Sequence, residues 1–350
     1  MVQATKQPDI ASGADANPRA RSGASAVALG LRLLNVGPVL ILVLLIAGIS
    51  LLTQNFLKPG NIGNILAQTA VIAIVAIGQH LVILTRGIDL SVGANLALAT
   101  VVGGLVYRWV DSSALVVLAM LASGVLVGFV NGAVYVFGRL PHPFIITLAT
   151  LSICKGLALE LAVNHTTMRG MPGAVTFLGE TSSLGIPNSF FIVAGVALIV
   201  LVLTKSMVWG RWTYAVGGNP KAAVEMGIPV RWVLVVTYVI AGLCAGIGAV
   251  VLAGRTGAGS PLYGNLLELD TIAAVIIGGA SFLGGRGHLG HALVGAVMIG
   301  VIRNALNLLN VDVFYQMIAI GLIIVLAVEA DVLRNHLEAR ARVNQSRAAQ

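Results

Sequence analysis

Residues 232–253 read WVLVVTYVIAGLCAGIGAVVLA, twenty-two positions without a charge, bounded by Arg231 and Arg255. A helix crosses a bilayer with about 20 mostly apolar residues. In hydrocarbon a helix also satisfies its own backbone polar groups, which an irregular segment does not. The stretch is therefore a membrane span. Working outward on the same criterion gives ten segments: 33–53, 65–84, 91–108, 114–137, 144–162, 189–206, 232–253, 269–284, 290–305 and 313–331. The shortest of these are expected to be broken, or buried against neighbours instead of facing lipid. The fold class that follows is all-α: a polytopic integral membrane protein of about ten transmembrane helices.

Composition points the same way. The 350 residues are 57% hydrophobic and 10% charged, where a soluble domain carries about 25% charged residues. With a mean hydropathy of +0.95, the chain cannot cover a water-facing surface. Its net charge of +8 would suggest nucleic acid in a soluble protein. Here the basic residues are sorted by side. Of 21 Lys and Arg, fifteen fall on one set of connections: Lys6, Arg19, Arg21, Arg32, Arg86, Arg139, Lys205, Arg211, Lys221, Arg231, Arg286, Arg334, Arg340, Arg342 and Arg347. Four fall on the other, Lys58, Arg108, Arg169 and Arg255, and Lys155 and Arg303 lie within or at the end of spans. Basic residues stay on the cytoplasmic side. The rule makes both termini cytoplasmic, accounts for the charge, and removes the case for nucleic acid.

Residues 1–32 are expected to be a disordered cytoplasmic tail, 33–332 the membrane domain, and 333–350 a second cytoplasmic tail. The first 25 residues are polar and have no apolar core of a signal peptide. Cys154 and Cys244 both lie in spans and read as small packing residues.

Few residues carry candidate chemistry. In Thr85-Arg86-Gly87-Ile88-Asp89-Leu90-Ser91, Asp89 suits the N-cap of the next helix, with Arg86 near enough to pair with it. A charge at a span edge is equally a candidate for the transport path. Lys155 lies deep in its span and must snorkel or face a polar cavity, whereas Glu160 can reach water. Glu268 and Asp270 open a span, where the helix dipole favours acids. Asn95 and Asn304 join Asp89, Lys155, Glu268 and Asp270 as path residues or structural caps. His288 and His291 have metal-ligand spacing but no third ligand nearby in sequence. No metal site, catalytic residue or phosphate-binding loop is expected; the Gly-rich stretch 279–287 lacks the Lys of such a loop.

The connection 207–231 is the sharpest local signal. Asn219 suits an N-cap, Pro220 the first helical position and Gly227 the position past the end. Lys-Ala-Ala-Val-Glu-Met between them spells about two helical turns. A short, well-capped cytoplasmic helix on a membrane protein is expected to be a docking element.

Taken together these stretches resemble the permease subunits of bacterial ABC importers for monosaccharides, the ribose, xylose, arabinose and galactoside type. Gly87-Ile88-Asp89-Leu90-Ser91-Val92-Gly93 is similar to that family's signature after the second span. Gly210-Arg211, Tyr214 through Asn219, Ala222-Ala223 and Gly227-Ile228 resemble its cytoplasmic loop. Glu268-Leu269-Asp270, Ile272 through Val275, Gly278-Gly279 and Gly284 through Gly287 resemble its third motif. Asn304, Asn307-Leu308-Leu309 and Tyr315-Gln316-Met317 resemble its last span. Lys155 stands where Arg is frequent, and Ala280 where Thr or Ser is common. The resemblance runs over about 35–332.

The resemblance implies a type II ABC importer-like homodimer in the bacterial inner membrane, working by alternating access. Its partners would be a cytoplasmic ATP-binding subunit, a periplasmic sugar-binding protein, a second copy of itself and membrane lipid. It would hold no cofactor of its own, ATP being bound by the partner subunit. Gly217, Gly218, Asn219, Ala222, Ala223 and Gly227 would form the ATPase coupling loop. The other class open to such a chain is an ion-coupled secondary transporter, which needs an ion site near the midplane. Here the acids crowd the span ends.

Overall fold

The computed structural model describes residues 37–163, 168–180 and 185–348; the expected tail over 1–32 lies outside them. Residues 38–333 form one compact unit.

Among the described residues, ten apolar helices occupy the expected places. They are α1 (Gly37–Leu52), α2 (Pro59–Leu84), α3 (Val92–Trp109), α4 (Ser113–Phe137), α5 (Phe144–Leu161), α7 (Asn188–Lys205), α10 (Val230–Thr256), α11 (Leu267–Ile277), α12 (Leu289–Leu308) and α13 (Val313–Ala348). Between them lie three shorter helices: α6 (Gly173–Gly179), α8 (Val208–Gly218) and α9 (Pro220–Glu225). Among the described residues a two-residue strand pair interrupts the helices: β1 (Met168–Arg169) runs antiparallel to β2 (Ala258–Gly259), with Met168 opposite Gly259.

Among the described residues, seven of these helices are long and apolar enough to cross a membrane: α2, α4, α5, α7, α10, α12 and the stretch Val313–Leu333 of α13. The count of about ten is thus matched in number of apolar helices but not in full-length spans. Helix α1 has 16 residues, and α11 stops at Ile277 instead of running to 284. Gly279 takes φ +87 beyond its end, a conformation open to glycine and costly for other residues. Asn95, Tyr107, Arg108 and Trp109 dilute the apolar character of α3.

The polar side chains decide which helices are central. Helix α2 carries Thr69, Gln79 and His80, all buried. Polar groups in a span turn inward because hydrocarbon offers them no partner. The apolar window of α2 is 89% buried and that of α10 67%. Helices α4, α5, α7 and α13 bury 22% or less and present Leu, Ile, Val and Phe outward, as lipid-facing helices do.

Helix α10 meets α4 at a glycine seam. A Cβ on Gly242 would stand 2.3 Å from the carbonyl oxygen of Gly124, and one on Gly124 2.4 Å from that of Gly242. The backbones touch, which is how membrane helices gain packing without a hydrophobic drive between them. Cys244, which faces α2 at Gly78, is buried, as is Cys154, and both are free thiols.

Helix ends sort into two groups by contact. At one end the Gly285 N–H donates to the Leu84 carbonyl, the Tyr214 hydroxyl to Gly287 and Thr147 to Ile88. At the other, β1 pairs with β2, Asn61 with Asn304, and the Asn188 N–H donates to the Glu180 carbonyl. The first group holds Arg86, Arg139, Lys205, Arg211, Lys221, Arg231 and Arg286; it is called the basic end below. The second holds Lys58, Arg108, Arg169 and Arg255.

Candidate functional site

The signature stretch builds a buried polar chain. Asp89 Oδ1 accepts from the Ser91 N–H at 2.8 Å and from the Ser91 hydroxyl at 2.6 Å. Ser91 Oγ accepts from Asn131 of α4 at 2.8 Å, and Asn131 Oδ1 accepts from the Thr150 hydroxyl of α5 at 2.7 Å. Gln79 of α2, its amide turned to suit, brackets the backbone N–H and C=O of Asp89 at 3.3 and 3.2 Å. The chain ties α2, α4 and α5 to the turn before α3, and burial pushes the Asp89 carboxyl up from its ordinary range. Two expectations are corrected here. Asp89 locks the turn ahead of α3, and the N-cap position itself falls to Ser91, whose side chain makes no cap bond. Arg86 does not pair with Asp89. Its backbone takes φ +66, which turns the side chain away, toward α8.

There Arg86 grips the end of α8. Its Nε donates to the Gly217 carbonyl at 2.6 Å, and Nη2 donates to the Gly218 carbonyl. A Cβ on Gly217 would lie 1.9 Å from the Leu84 oxygen and 2.6 Å from the Gly285 nitrogen. The last turns of α2 and α8 and the loop 284–287 therefore meet backbone to backbone.

One residue further on, Asn219 Oδ1 accepts from the Lys221 and Ala222 N–H groups at 3.1 and 3.2 Å and starts α9. Gly227 follows its end at φ +75. The short helix expected from its caps is present. Its faces are not as expected: Ala223 is buried against Val216 and Val233 of its own chain and Ala222 is half-buried. Lys221, Val224, Glu225 and Met226 face outward. Helix α8, which precedes it, was not foreseen within this loop.

Glu268 and Asp270 lie in the first turn of α11, after Leu266 at the N-cap. They face different cations. Asp270 pairs with Arg303 of α12 at 2.7 Å, its carboxylate nearly buried. Glu268 lies over Gly93 of α3 and within electrostatic reach of Lys155, which is half-buried. Asn304 makes a reciprocal amide pair with Asn61, both bonds 2.9 Å. Asn95 donates to the Gly124 carbonyl at 3.2 Å, and its Oδ1 is buried without a partner.

Between α2, α10, α11 and α12 lies a cavity of about 240 Å³ lined by Gln68, Arg255, Asn265, Asp270 and Arg303 among others. Asp270 is the one sequence candidate it gathers. Asp89 belongs to the basic end, and Asn95, Asn304, Lys155 and Glu268 are not among its lining residues. Sequence reading missed Gln79, Asn131 and Thr150. An amide or hydroxyl in a span is the signal that could have found them.

His288 caps α12, its Nδ1 accepting from the Gly290 N–H at 3.1 Å. Burial, with Lys205 and His291 nearby, holds its pKa below the ordinary imidazole value, which suits an acceptor. Among the described residues no group of three metal-binding side chains forms.

The fold is a multi-pass helical membrane domain with polar groups inside and a capped helix at its basic end. Residues 61–328 match the family described as branched-chain amino acid transport system / permease component, and the chain belongs to it. It is 41% identical to the ribose import permease protein RbsC of Bacillus subtilis over 85% of this chain and 92% of that one. It is 40% identical to the D-allose transport system permease protein AlsC of Escherichia coli, over 81% and 87%, respectively. To the fructose import permease protein FrcC of Rhizobium meliloti it is 36% identical over 84% of each. No solved structure matches.

Proposed function

We propose that this chain is the membrane permease of an ATP-driven monosaccharide importer. It carries the sugar inward by alternating access while a separate cytoplasmic subunit hydrolyses ATP. The observation that carries the reading is similarity over nearly the whole length to permeases named for ribose, D-allose and fructose import. Similarity of that extent covers the spans, the loop around α9 and the α11–α12 segment together.

In this reading the permease works as a homodimer in the bacterial inner membrane, with the basic end in the cytoplasm. Sugar arrives from a periplasmic binding protein at the opposite end. The cavity holding Asp270 and Arg303, about 240 Å³, lies on its way. Amide, carboxylate and guanidinium groups around it match the paired donor and acceptor character of sugar hydroxyls. Helix α9 docks the ATPase. The chain binds no nucleotide and makes no covalent bond to its substrate.

The test is uptake of labelled ribose, allose and fructose by vesicles holding the permease, its ATPase and its binding protein. Uptake of at least one sugar is expected only with ATP and all three proteins. Uptake by the permease alone under an ion gradient would assign the chain to the secondary transporters.

A further inference from the structure

The junction at the basic end explains more than the capping of α8. Three pieces of backbone meet there at glycines: the end of α2 at Leu84–Arg86, the end of α8 at Gly217–Gly218, and the loop Gly284–Gly287 between α11 and α12. They are also bonded. The Gly285 N–H donates to Leu84 at 2.8 Å, the Tyr214 hydroxyl to Gly287 at 2.9 Å, and Arg86 to both glycine carbonyls of α8. There is no slack on the α9 side. Gly218 is followed by Asn219, whose side chain already holds the first N–H groups of α9.

Helices α2, α11 and α12 meet again around the cavity. Gln68, Val71 and Ile72 of α2, Asp270 of α11 and Arg303 of α12 all line the cavity. Helix α2 is the most buried span, and a packed helix moves as a body because close-packed interiors shift between discrete arrangements and deform little.

We infer that Arg86 is a positioning residue for transport: its two-carbonyl grip makes α2 and the α11–α12 loop follow α9, so that the ATPase stroke moves the walls of the sugar cavity. The inference rests on the docking role of α9 proposed above. Arginine suits the task. Its planar fork holds two acceptors in fixed geometry, where a lysine ammonium is a single mobile point. The carbonyls it takes are orphans of a helix end, so the bonds are charge-assisted and have no intrahelical competitor. A purely structural role would use the same bonds to hold α8 in place, and the two roles differ in what they disturb.

The experiment measures ATP hydrolysis and sugar uptake in the same vesicles, using the complete complex and whichever of ribose, allose or fructose the wild type takes up. Arg86→Ala should keep the ATPase bound and hydrolysing, while sugar imported per ATP falls by about tenfold or more, the scale of losing charge-assisted hydrogen bonds. Arg86→Lys should lie between this variant and the wild type, and it decides by the same ratio if Arg86→Ala does not reach the membrane. Wild-type uptake per ATP in these variants overturns the inference. So does a fall of hydrolysis, uptake and ATPase co-purification in parallel, which would make Arg86 a structural cap. A wild-type complex without ATP-driven uptake would instead overturn the reading beneath it, and this inference with it.

Discussion

Arg303 and Asp270 set the logic at the scale of single residues. The sequence marks both as ionisable groups at or within spans, where charge is expensive. It does not pair them, because they lie on different helices and only packing brings α11 against α12. The neighbourhood of Asp89 teaches the reverse. Arg86 is three positions away and invites pairing, yet its left-handed backbone points it to α8, and Asp89 finds neutral partners in Ser91 and, at its backbone, Gln79 of α2. Local spacing was legible; side-chain direction was not. The ion pair supports a quantitative expectation. Removing one partner of a buried pair strands the other and costs about 3–5 kcal/mol. Asp270 is nearly buried and Arg303 is 24% exposed, so the lower figure applies. Asp270→Asn should lower the thermal midpoint of the purified permease, Arg303→Gln should do the same, and the double variant should lose less than the sum. Additive losses in that cycle would show that the two charges do not depend on each other.

Among the elements, α9 is the one the sequence describes best, because Asn219, Pro220 and Gly227 encode both ends locally. Helix α8 was hidden inside the same loop. Trp209, Trp212 and Val216 pack beside α9, a tertiary arrangement that a short stretch containing Gly210, Gly217 and Gly218 does not announce. The end of α11 was overrun for a related reason: Ala280, Phe282 and Leu283 prolong the apolar pattern, but the backbone turns at Gly278–Gly279. The faces of α9 correct the choice of docking residues. Ala223 is filled by its own chain, so bulk there would disrupt the permease whether or not a partner docks. Val224 and Met226 are 61% and 81% exposed, and exposed apolar side chains on a short helix at the basic end suit a partner's groove. Val224→Gln combined with Met226→Gln should leave permease stability within about 0.5 kcal/mol of wild type, as surface changes do, and should reduce both ATPase co-purification and ATP-driven uptake. Full retention of the ATPase by that variant would place its docking elsewhere.

For the whole molecule, two independent patterns agree. Charge sorts the connections into a basic set and a poor one, and contacts sort the same connections into two ends of the bundle. The second pattern uses no assumption about a membrane. Together they order every described crossing, although only seven helices are full-length spans; the shorter α11 reaches the basic end through the loop 278–288, which touches α2 and α8 there. What remains is which end faces the cytoplasm, and the retention of Lys and Arg predicts the basic end. A cysteine-free background is within reach because Cys154 and Cys244 are both buried and unpaired, so each can become Ala without exposing a new surface. In that background Asp111→Cys and Lys221→Cys place one thiol at each end, both at exposed positions. A membrane-impermeant maleimide should label Lys221→Cys only in inside-out vesicles and Asp111→Cys only in right-side-out ones. Labelling of both from one side would break the alternation on which the helix order rests. Opposite labelling with the sides exchanged would keep the bundle but put α9 outside, where no ATPase could reach it.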